Sequence, residues 1–176
     1  MARVPYVGTG QPEATDDLAE LFREIADLRG SVHHLHRALA NQPSALRAFM
    51  GMSRYIRNDS TLSPKLRELA VLATAYALDV EYEKVHHRPA ARRAGVSERQ
   101  IAAFPNWEES DAFEPAERAV LRYADQVART RDADDATFRE LRAHLSTADV
   151  INLALTVGWY HLCAAILGPL RIEPET

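Results

Sequence analysis

The chain has 176 residues, enough to bury roughly two thirds of its unfolded surface and to fold without disulfide or metal staples. Its net charge of -4 is spread over interleaved arginines and acids, with no basic stripe of the kind that neutralises phosphates, which argues against nucleic acid as a partner. The single cysteine, Cys163, rules out an intramolecular disulfide, a Cys-x-x-Cys redox motif and a cysteine zinc site, and fits a reducing cytoplasm.

Met1-Ala2-Arg3-Val4-Pro5 lacks the long apolar core of a secretory signal. From there the apolar residues recur at helical spacing, with no convincing strand alternation. Asp16-Asp17 caps a helix over Leu18 to Leu28, whose Leu18, Leu21, Phe22, Ile25 and Leu28 repeat at three and four residues, and Gly30 closes it. Val32 to Ala40 reads as a second helix, stopped by Asn41-Gln42-Pro43. Ser44 to Ile56 reads as a third, followed by a turn at Asn58-Asp59-Ser60. Ser63-Pro64 places proline at a first helical position and opens a long apolar helix through Leu78. Tyr82 to Ala94 is helical, with Pro89 expected to kink or restart it, and Gly95 suits a left-handed cap. Ser97-Glu98-Arg99-Gln100 reads as a capping box for a short helix, and Phe104 to Phe113 as a connecting loop. Helices then follow from Glu114-Pro115 to Thr130, from Asp134-Asp135 to Leu145, and from Ser146-Thr147 to Leu167. Gly158, Tyr160, His161 and Gly168 interrupt the last apolar run before it reaches the length of a membrane span.

Tyr82-Glu83-Lys84-Val85-His86-His87 carries most of the functional signal. A carboxylate at i and an imidazole at i+4 share one helix face, so Glu83 and His87 can touch a common molecule. Glu68 lies in the apolar run Leu66-Arg67-Glu68-Leu69-Ala70, where a charge is unexpected unless it is paired or faces a pocket. His86 points about 100 degrees away from His87 around the helix. The last helix offers Asn152, Trp159, Tyr160 and His161 to the same region. His33-His34-x-His36 puts two imidazoles on adjacent helical surface, but no third ligand is evident, and no metal is expected.

The order Leu66-Arg67-Glu68-Leu69, then Tyr82-Glu83-x-x-x-His87, then Ala91-x-x-Ala94-Gly95-Val96-Ser97 resembles the carboxymuconolactone decarboxylase family, which includes the alkylhydroperoxidase D-like proteins. The resemblance covers about Pro43 to Leu170 and implies an all-α, single-domain helical bundle of the alkylhydroperoxidase D-like type. It also implies self-assembly into dimers, trimers or hexamers. In the thiol-dependent branch a glutamate is followed twelve residues later by Cys-x-x-Cys, with a histidine four residues after the second cysteine. Laid onto this chain, that pattern matches Glu68 and His87, but puts Val80 and Glu83 in place of the cysteines. Neither can attack or resolve a peroxide, and Cys163 lies in an apolar stretch where a thiol is usually buried and inert.

These readings give residues 1-42 as a helical extension, 43-170 as the family-like core and 171-176 as a tail. The resemblance implies a non-thiol site with Glu68, Glu83 and His87 as catalytic candidates and Tyr82, His86, Arg67 and Tyr160 beside them for substrate binding. The expected chemistry is proton transfer on a small carbonyl or lactone compound by decarboxylation, isomerisation or hydrolysis, without a cofactor. The competing expectation is a non-catalytic oligomeric scaffold or small-ligand binder. Partners would be the small molecule and further copies of the chain, with neither nucleic acid nor membrane involved.

Overall fold

The helical periodicity is realised throughout: the computed structural model describes residues 1-8 and 15-175 and contains helices and no strand among them. The chain forms two compact units, Met1-Asn58 with Ile166-Thr176, and Asp59-Ala165. The first packing boundary thus falls at 58/59, whereas the sequence resemblance begins near residue 43.

The first unit contains α1 (Asp16-Arg29), α2 (His34-Leu39) and α3 (Pro43-Arg54). α1 buries Leu18, Leu21, Phe22 and Ile25, and Gly30 closes it at φ 82°, a backbone region that glycine enters without a Cβ clash. Thr15, not Asp16 or Asp17, holds the N-cap position; the two acids occupy the first turn, where the helix dipole favours negative charge. α3 buries Leu46, Phe49 and Met50 and runs on into a π-helical turn, Tyr55-Asp59, which tucks Ile56 inward where only a turn at residues 58-60 was expected. The chain ends are tied together within this unit. The Arg3 amide donates to the Leu170 carbonyl at 2.9 Å, its guanidinium donates to the Pro169 carbonyl at 3.0 Å, and Glu175 accepts the His34 amide.

The second unit contains α4 (Pro64-Ala77), α5 (Glu81-Arg93), α6 (Glu98-Ala103), α7 (Pro115-Thr130), α8 (Asp135-His144) and most of α9 (Thr147-Leu170). α4 is buried without a break from Glu68 to Ala75, as a central helix must be, and packs on α5 and α7. Leu69 and Leu72 of α4 meet Val120 and Leu121 of α7, Leu141 of α8 and Leu153 and Val157 of α9 in one core. α5 continues through Pro89 instead of ending there, and its end is a Schellman motif: Val96 N-H reaches the Ala91 carbonyl at 2.9 Å while Gly95 takes φ 92°. The expected loop after residue 104 is partly helical, a 3-10 segment Phe104-Glu109 with a non-helical break at Asn106. By length and composition α9 could cross a membrane, contrary to the reading of its polar interruptions; Leu153, Val157 and Cys163 are buried core residues of it.

α7 closes on Arg131 at φ 64°, where most side chains are strained. Arg131→Gly is expected to raise stability by about 0.5–1 kcal/mol, seen as a higher thermal midpoint.

Candidate functional site

Three helices of the second unit each send one or two polar groups to a common point. Glu68 comes from α4, Glu83 and His87 from α5, and Tyr160 from α9. All four are buried, at 2% to 5% exposure. His87 is the centre. Its Nδ1-H donates to Glu68 Oε2 at 2.6 Å, which fixes the ring, while Nε2 stands 3.3 Å from Glu83 Oε2 and 3.1 Å from the Tyr160 hydroxyl. The Tyr160 ring meets the imidazole edge to face, centroids 4.9 Å apart, so the phenol is held by packing as well as by its hydroxyl.

The local sequence explains this placement. The i,i+4 spacing puts Glu83 and His87 on one face of α5. A connection of only three residues, Leu78-Asp79-Val80, folds α5 back on α4 because Asp79 adopts φ 53°, a left-handed conformation that aspartate tolerates better than most residues. That return brings Glu68 against a residue nineteen positions later.

Burial alone would lower the His87 pKa, but Glu68 and then Glu83 outweigh it and hold the imidazole above the usual histidine range. The two acids thus favour the protonated ring between them. Arg67 Nε lies 3.4 Å from Glu68 Oε1 and extends the alternation of charge. A central imidazole with one nitrogen oriented by an acid and the other facing a carboxylate and a phenol can pass a proton in either direction.

The other residues singled out in the sequence have different surroundings. Tyr82 and His86 pair with each other: their rings stack at 4.2 Å, and His86 Nδ1 donates to the Tyr82 carbonyl at 2.8 Å. Asn152 donates to the Thr61 hydroxyl at 3.0 Å. Of the histidine group near the N-terminus, His36 spends Nδ1 accepting the His33 amide at 3.1 Å. A second buried acid that the sequence reading did not single out, Glu117, bonds Gln100 at 2.7 Å, Lys65 at 2.6 Å and the Glu114 amide at 3.0 Å. It belongs to a capping box, a role its spacing after Glu114-Pro115 could have revealed. Cys163 is 2% exposed, so thiol reagents are expected to label the native chain negligibly and the unfolded chain fully, as read by absorbance on release of the reporter thiolate.

Helix order and site together define an all-α scaffold of the alkylhydroperoxidase D-like type in which carboxylate, imidazole and phenol converge. Residues 43-126 match the model of the carboxymuconolactone decarboxylase family, and the chain carries no Cys-x-x-Cys motif. It is 22% identical over 118 residues to the uncharacterised protein YdfG of Bacillus subtilis, covering 66% of this chain and 80% of that one. Among solved structures it resembles an uncharacterised peroxidase-related protein of Ralstonia eutropha with an alkylhydroperoxidase core, at 25% identity and TM-score 0.82 over 99% of this chain and 92% of the other. It also resembles a cysteine-to-alanine variant of the debrominase Bmp8 in complex with 2,3,4-tribromopyrrole, at 20% identity and TM-score 0.85 over 100% and 95% of the two chains.

Proposed function

We propose that the chain is a non-thiol enzyme of its family that moves a proton on a small, activated carbonyl or lactone compound, by decarboxylation, isomerisation or hydrolysis. The observation that carries this reading is the buried His87, held at Nδ1 by Glu68 and facing both Glu83 and Tyr160 at Nε2. In this reading Glu83 takes the proton from the substrate, and His87 with Tyr160 donates to the oxygen on which enolate or alkoxide charge develops. Glu68 positions the ring, and Arg67, Tyr82 and His86 contribute to the substrate's surroundings. The thiol chemistry of peroxidase relatives has no counterpart here, because the positions that resemble their cysteines are Val80 and Glu83. We further propose a cytoplasmic homo-oligomer, as dimer, trimer or hexamer, with no membrane or nucleic-acid partner.

One observation favours the alternative of a scaffold or ligand binder: both ring nitrogens of His87 already have partners, as in a purely structural network. Turnover of a panel of lactones, β-keto acids and enolisable ketones separates the two. The enzyme reading expects turnover by the wild-type chain that falls about 10²- to 10⁴-fold in Glu83→Gln, with unchanged circular dichroism. No turnover of any compound would overturn it in favour of the scaffold, and equal turnover by Glu83→Gln would overturn the role given to Glu83.

A further inference from the structure

In the first unit, α1 and α3 enclose an open groove of about 710 Å³. Leu21, Ile25 and Met50 form its apolar floor. One wall, from α1, carries Glu24 and Asp27; the other, from α3, carries Arg47 and Arg54. These four side chains are exposed and make no ion pair among the described residues. Gly51 lies between the arginines on the same wall, in the interior of α3, where glycine disfavours a helix. Its own chain does not require it: a Cβ there would meet nothing within 4 Å. A helix-interior glycine with open space above it, on the wall of an apolar groove, suits close approach by another backbone.

We propose that this groove is where a second copy of the chain docks, related to the first by a two-fold axis. An occupant must present cations to Glu24 and Asp27 and anions to Arg47 and Arg54 across an apolar strip. Under a two-fold operation about an axis parallel to the groove the chain's own walls do so, each acidic wall meeting the partner's arginines. The volume is that of a space left for side chains, and the Leu28 side chain, 41% exposed at the groove's edge, is covered in the pair. The inference rests on the self-association proposed above and not on the catalytic reading.

Sedimentation velocity and native mass spectrometry of the full chain at tens of micromolar test it. The expected result is a self-associating wild type whose association weakens with added salt and falls at least tenfold in Gly51→Leu. Two charge-reversed chains, one with Arg47→Glu and Arg54→Glu, the other with Glu24→Arg and Asp27→Arg, are each expected to lose that contact and to recover it as a heterodimer when mixed. Such recovery on mixing cannot come from a folding defect. A monomeric wild type overturns both the self-association and this surface. An oligomer whose mass ignores all three variants overturns the surface alone and leaves the groove to a different occupant.

Discussion

His87→Leu is expected to lower folding stability by about 3–5 kcal/mol at neutral pH, read as a lower urea midpoint with an unchanged slope. The leucine nearly matches the ring in bulk, so the loss comes from charge. Without the imidazole, Glu68 and Glu83 remain buried on one point, at 2% and 4% exposure, with their shared partner gone. Adding Glu83→Gln to His87→Leu is expected to recover part of the loss, because residues of one network do not behave additively. A His87→Leu chain within 1 kcal/mol of wild type would mean that the three groups do not form the coupled network described here.

The second large effect is a stability that peaks near pH 6.5 and falls on both sides, for reasons located in different units. In the first unit, burial pushes the His36 pKa down to about 3, and Arg29, His33 and Arg57 add to the displacement against a smaller opposing pull from Glu175. The geometry agrees, since His36 Nδ1 accepts a backbone amide and so cannot carry a proton. Below pH 6.5 the unfolded chain takes up a proton there that the folded chain refuses. Stability is therefore lost as pH falls from 6.5 toward 3, at about 1.4 kcal/mol per pH unit for this group. His87 has the opposite sign. Its raised folded pKa contributes stability that is fully present below pH 6.5 and is lost as pH rises through the folded value. His36→Gln should flatten the acid limb and leave the alkaline limb in place, as measured by urea unfolding across pH 4 to 9. An acid limb of unchanged slope in that variant would remove His36 from the account.

Much of this architecture is legible in local sequence, because local rules govern it. The spacing of Leu18, Leu21, Phe22 and Ile25 marks α1, and the Glu83-to-His87 interval marks the polar face that α5 turns inward. Caps such as Ser97 with Gln100 and Gly95 are equally local. What local rules miss depends on return geometry. Nothing in the string says that Tyr160 sits against a residue 73 positions earlier, nor that Asp79 accepts a left-handed conformation that sets α5 against Glu68. The 3-10 segment at Phe104-Glu109 was hidden by Pro105 and its acids, which read as loop, while burial of Phe104 and Trp107 holds it in place. His36 invites a metal reading by spacing and turns out to be a buried neutral acceptor, a distinction that only its surroundings make.

The tying of the chain ends bears on the order in which the protein can be made. The second unit is one continuous stretch, Asp59-Ala165, and can close as soon as that stretch has left the ribosome. The first unit cannot, because Arg3 bonds to Leu170 and Pro169, and His34 to Glu175, residues translated after that stretch. Residues translated before that stretch thus complete their contacts after it, and the cluster of Glu68, Glu83, His87 and Tyr160, wholly within the continuous stretch, precedes them.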